Sequence, residues 1–187
     1  GEIKASNTGT KNVDNWAYGE GKGKQIVTDI ETKENSDNIT IMLKIDWTTP
    51  DKQNIQLKET RTIVIYEDGK MDFTISLTPY GSDNTVKFLD TKEGGFVSVR
   101  VATPMDVPRG GVITQSTGAM CDSKESEKNV WGKQAKWCDY SGTVDGKDVG
   151  ICIFDHPENV IYPTYWHVRS YGLMGANPFG TRFFKKS

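Results

Sequence analysis

Between residues 39 and 102 the chain reads as a succession of short strands. Ile39, Ile41, Leu43, Ile45 and Trp47 alternate with Thr40, Met42, Lys44 and Asp46, the period-two pattern of a strand with one buried face. Thr48 to Lys52, with Pro50 and Asp51, turns the chain. Ile55 to Tyr66 forms the next strand, Glu67-Asp68-Gly69-Lys70 supplies an Asp-Gly hairpin signal, and Met71 to Leu77 returns antiparallel. Further strands are expected at Val86–Leu89, Phe96–Ala102, Val112–Gln115, Ala135–Tyr140 and Val149–Phe154, the last two joined by Asp145-Gly146. No stretch of ten residues keeps a 3.6-residue apolar period. The expected fold is therefore all-β, an antiparallel β-sandwich with little helix. Residues 1–14 are polar and aperiodic and read as a loosely ordered lead-in, with residues 15–187 as a single β-sandwich domain.

Composition narrows the function classes. A chain of 187 residues with 35% hydrophobic and 26% charged positions has the balance of one globular core. Its net charge of −2 creates no field for nucleic acid, and no apolar run approaches the ~20 residues of a membrane-spanning helix. Cys121, Cys138 and Cys152 show no C-x-x-C spacing and read as free thiols, with Cys138–Cys152 on neighbouring strands as the one pairing to test.

Parity along the strands places two groups of polar residues on unexpected faces. Glu59 and Arg61 share the face of Ile55, Leu57, Ile63 and Ile65, so they should be buried as a pair or line a cleft. In the segment from Tyr165 to Leu173, His167, Arg169 and Tyr171 lie on one face, opposite Trp166 and Val168. Just upstream an apolar strand ends in Asp155-His156-Pro157, which brings both histidines of the chain within twelve residues. Imidazoles titrate near neutral pH and serve as general acids and bases, which makes His156 and His167 the proton-transfer candidates and Asp155 their carboxylate. Arg169 and Arg100 can bind hydroxyls or a carboxylate, Trp166 or Tyr165 can stack on a sugar face with Trp166 as the platform, Tyr171 is a further binding candidate, and Glu93 is a second carboxylate candidate. Two imidazoles with Asp155 could also hold a metal, but only two histidines are available, and neither metal nor cofactor is assigned.

The words Phe88-Leu89-Asp90-Thr91-Lys92-Glu93-Gly94-Gly95, Val99-Arg100-Val101, Trp131-Gly132, Ala135-Lys136-Trp137-Cys138-Asp139-Tyr140, Asp155-His156-Pro157, Pro163-Thr164-Tyr165-Trp166-His167-Val168-Arg169-Ser170-Tyr171-Gly172-Leu173 and Ala176-Asn177-Pro178-Phe179-Gly180 follow one another in the chain. In that order, over residues 86–180, they resemble the bacterial PmoA-like family. Residues 14–85 match more loosely, through Trp16, Gly19, Gly23 and Glu59-x-Arg61. A histidine-rich motif that precedes this region in family members is missing, so the chain corresponds to the middle of the family's domain or to a shortened member. The resemblance implies a large antiparallel sandwich of mutarotase-like kind and a secreted or periplasmic place in bacterial carbohydrate metabolism. The literal methane oxygenase of the family's name does not fit a chain without a membrane span. Together, residues and resemblance point to a carbohydrate-active protein that binds a sugar, or another small polar ligand, in a His/Arg/Trp-lined cleft, with or without acid/base chemistry. The alternative is a non-catalytic glycan-binding or structural module.

Overall fold

The computed structural model describes residues 2–8, 12–15, 17–89 and 95–180. The fold is all-β with antiparallel sheets, and no helix among the described residues exceeds the five residues of the 3-10 turn Glu125–Asn129. None is long and apolar enough to cross a membrane. The chain divides into two compact units, Gly1–Leu89 and Asp90–Ser187.

The first unit contains β1 (Glu2–Ala5), β2 (Val13–Asp14), β3 (Lys24–Glu34), β4 (Asn38–Thr48), β5 (Ile55–Tyr66), β6 (Met71–Pro79) and β7 (Val86–Phe88). Strands β3-β4-β5-β6 form a meander in sequence order, and β2-β1-β7 form a small second sheet. The segment read as a lead-in thus supplies two strands. Its apolar residues Ile3, Ala5 and Val13 are buried, which fixes β1 between β2 and β7.

Register in the meander follows the alternation. Ile41 stands opposite Ile63, and Ile63 opposite Phe73, so these residues share one face. Thr40, Val64 and Asp72 share the other. The parity argument for the charged pair holds. Glu59 is 1% exposed, Arg61 donates to its Oε1 through Nε at 2.7 Å and Nη2 at 2.6 Å, and the Trp47 indole donates to Oε2 at 2.7 Å. The Asp68-Gly69 turn closes with Gly69 at φ 84°, a left-handed geometry that glycine adopts without strain.

The second unit contains β8 (Ser98–Arg100), β9 (Val112–Gln115), β10 (Met120–Cys121), β11 (Trp137–Val144), β12 (Lys147–Phe154), β13 (Tyr165–Val168) and β14 (Leu173–Asn177). Two sheets, β10-β9-β11-β12 and β13-β14-β8, contribute to one core. Ile113, Cys138 and Tyr140 enter it from the first sheet, and Trp166, Val168 and Met174 from the second. This is sandwich packing on a small scale. The β11–β12 hairpin turns on Asp145 and Gly146, both at positive φ (52° and 74°), as a two-residue loop that follows the right-handed strand twist requires.

All three cysteines are free. In the β11–β12 register Cys138 stands opposite Ile153, and Cys152 opposite Asp139, so the two thiols project from opposite faces and cannot meet. Burial pushes the Cys138 thiol far up, while Cys152 is pushed up to about 11 by burial and by the charge of Asp139.

Candidate functional site

The segment from Tyr165 to Leu173 is not one extended run. Strand β13 ends at Val168, and residues 169–172 reverse the chain into β14. The reversal is closed by Arg169 N–H donating to Leu173 O at 2.8 Å and Gly172 N–H donating to Arg169 O at 3.1 Å. Gly172 sits at φ 96° with Val101 Cγ2 only 3.3 Å from where a Cβ would be, so both backbone and space select glycine.

Three groups from elsewhere in the unit fix this turn. Tyr140 donates its hydroxyl to Ser170 O at 2.9 Å, with Arg169 O at 3.3 Å, and the same oxygen accepts from Val107 N–H at 3.3 Å. Burial pushes that phenol up to about 12, so it remains a proton donor throughout the physiological range. Val107 N–H also donates to Ser170 O at 2.9 Å. Glu127, on the 3-10 turn Glu125–Asn129, accepts from Arg169 Nε through Oε1 at 2.8 Å and from Ser170 N–H through Oε2 at 2.6 Å. One carboxylate thereby holds both the side chain and the backbone of the turn, and charge-assisted bonds of this kind are the strong ones.

Around the turn, cations and rings are interleaved. The Arg169 guanidinium carbon lies 5.3 Å from the centre of the Tyr171 ring and 5.8 Å from that of Trp131. Arg100, on β8, lies 5.2 Å from the same Tyr171 ring and donates through Nη1 to Tyr171 O at 3.2 Å. The Trp131 indole in turn donates to His167 Nδ1 at 3.2 Å. An indole N–H can only donate, so Nδ1 carries no proton here and His167 is held with its proton on Nε2. Tyr171 and Arg100 are exposed, while Trp131 and Arg169 are half-buried.

The structure brings Arg100, Arg169, Tyr171 and His167 into this cluster and separates the other candidates from it. Trp166 is no stacking platform. It is 0% exposed, packed in the core, with its indole N–H on Ala135 O at 2.9 Å. Asp155 is buried and occupied, accepting from Thr164 N–H and from the Asn159 amide at 2.7 Å each, so it pins the 155–164 loop. His156 is exposed, and among the described residues its hydrogen bonds stay within its own turn, Nδ1 accepting from Glu158 N–H at 3.2 Å. Glu93 and Trp16 lie outside the described residues. Two residues of the cluster were not singled out from sequence. Trp131 stood only as part of a Trp-Gly word, and Glu127 sits in a polar Glu-Ser-Glu-Lys run that carries no periodicity. Among the described residues no three His, Cys, Asp or Glu side chains are placed to hold a metal ion.

The turn's anchor has a pH signature. Burial pushes the Glu127 carboxyl up, but the hydrogen bonds from Ser170 and the charge and hydrogen bond of Arg169 outweigh it and hold the group below the usual glutamate range. A carboxyl depressed in the folded state stabilises the fold above its unfolded pKa of about 4.3, and that stabilisation is lost as pH falls through the folded value. The stability gap between the native protein and Glu127→Gln, measured by urea unfolding, should thus be widest at neutral pH and narrow below about pH 4. A gap constant from pH 7 to pH 3 would show that the carboxylate charge does not hold the turn.

A family model described as a family of unknown function (DUF6807) matches residues 3–187. No curated protein and no solved structure matches the chain.

Proposed function

The chain belongs to the DUF6807 family, a family of unknown function, and from the chemistry of its own turn we propose that it is a carbohydrate-binding β-sandwich protein whose sugar site is built on residues 169–172. One observation carries the reading. The Arg169–Tyr171 turn is anchored from below by Glu127 and Tyr140, yet it presents an exposed ring and guanidinium donors with no protein acceptor. Among the described residues, Nη1 and Nη2 of Arg169 donate to no protein group, and neither do Nε and Nη2 of Arg100. Sugar recognition uses such a combination, apolar ring surface beside hydrogen-bond donors fixed in advance. The resemblance to the PmoA-like family over residues 86–180 supports the same substrate class and a secreted or periplasmic setting.

Binding is favoured over acid/base catalysis because Asp155 and His156 bond away from the cluster and His167 is held within it by Trp131. His167 accepts from Trp131, Asp155 is bonded twice within its loop, and His156 bonds within an exposed turn. Isothermal titration of the full chain against a panel of oligosaccharides tests the proposal. A ligand should emerge whose affinity falls about tenfold or more in Arg169→Ala, since hydrogen bonds to charged groups are worth about 1.5–3 kcal/mol. A panel without any binder sinks the proposal, and release of a shortened or altered sugar returns the site to catalysis.

A further inference from the structure

We infer that the sugar received at this turn is acidic, a uronate whose carboxylate is taken by Arg100, an inference that rests on the carbohydrate reading above. Among the described residues the cluster carries two guanidinium groups around one ring and one carboxylate that pairs with them. That carboxylate, Glu127, is turned to the fold, its Oε1 accepting from Arg169 and its Oε2 from Ser170 N–H. Arg100 forms no ion pair with any described residue, and among those residues its side chain donates to a neutral carbonyl, Tyr171 O, at 3.2 Å. The excess positive charge is therefore local to Arg100, in a chain whose overall balance is −2.

Donor and acceptor character points the same way. A sugar hydroxyl both donates and accepts, so a neutral sugar is best met by a site offering both, typically amides and carboxylates together with donors. Guanidinium groups only donate. The guanidinium nitrogens of Arg100 and Arg169 that donate to no described residue flank Tyr171, and the ligand group that matches them is one that only accepts. A carboxylate is such a group, and its planar pair of oxygens fits the guanidinium fork. Arg100 is moreover held in place, through its bond to Tyr171 O and the ring beneath its guanidinium, rather than left as a freely moving surface arginine.

The test is a matched pair of ligands, an oligogalacturonate and a neutral oligogalactose of equal length, titrated into the full chain at low ionic strength. The acidic oligomer should bind roughly tenfold tighter or better. In Arg100→Gln that ratio should collapse toward one, with partial recovery in Arg100→Lys, which restores the charge without the fork. Added salt should weaken the acidic ligand more than the neutral one. Equal affinity for the two oligomers in the native protein overturns the inference and leaves the carbohydrate reading standing. Binding of neither overturns the inference, and the oligosaccharide panel then decides the carbohydrate reading. Full displacement of the acidic oligomer by equimolar acetate also overturns both, since it shows recognition of a carboxylate without its sugar.

Discussion

Replacing Arg61 with alanine should shift the urea midpoint of the protein downward by about 1–2 M, an effect among the largest expected of any single substitution. The Glu59 side chain is fully buried in the first unit, and among the described residues Arg61 reaches it through Nε and Nη2 and Trp47 through its indole. Removing the arginine leaves a buried carboxylate held, among the described residues, by the Trp47 indole alone, and breaking such a pair costs about 3–5 kcal/mol. Arg61 itself is 25% exposed, so part of its charge already meets water and the lower end of that range applies. The reverse change should be milder. Glu59→Gln removes the charge that burial penalises, keeps an oxygen for Trp47, and leaves a guanidinium that solvent can reach. Replacing both residues by leucine should recover most of the loss, because well-packed apolar side chains commonly match a buried ion pair in stability. Equal midpoints for Arg61→Ala and the native protein would show that the pair carries no net stability.

The same pair shows what a sequence makes legible. Glu59 and Arg61 sit at fixed parity in a strand of aliphatic residues, and parity alone decides which side they face, so burial and pairing could be read directly. The long hairpins were legible for the same reason, since β4, β5 and β6 each hold their alternation for many residues between clear turn signals. β1 and β2 were not, because four- and two-residue strands hold too few alternations to rise above noise, and their burial comes from pairing across the chain. Strand β3 carries Ile30 and Val27 among charges, with a register shift between Val27 and Asp29 that breaks the period. At the site, parity placed His167 opposite Trp166 and Val168, and those two do enter the core. What failed was the assumption that the strand continues. Gly172 ends it in a reversal, so Arg169 and Tyr171 project from a turn and gain partners that local sequence does not reveal. Glu127 lies 42 residues from Arg169 in sequence, and only the tertiary fold makes it the turn's anchor.

Trp166 separates core from site most sharply. Trp166→Ala should destabilise the protein by about 3–5 kcal/mol, the cost of deleting a fully buried large aromatic side chain and leaving a cavity. The lost indole N–H also strands Ala135 O, which adds up to about 1–3 kcal/mol where no water replaces it. A variant of that severity can fail to fold, so Trp166→Phe is the informative companion. It keeps most of the ring volume, loses the hydrogen bond, and should cost a smaller part of the stability while binding the sugar with native affinity. Tyr171→Ala should do the opposite. The residue is 45% exposed on a surface turn, so stability should stay within about 0.5 kcal/mol while sugar affinity drops. Chemical unfolding and calorimetry on the two variants measure both quantities in the same proteins. A Trp166→Phe protein of native stability that no longer binds sugar would put the stacking surface back at Trp166. A Tyr171→Ala protein that binds normally would remove the 169–172 turn from recognition.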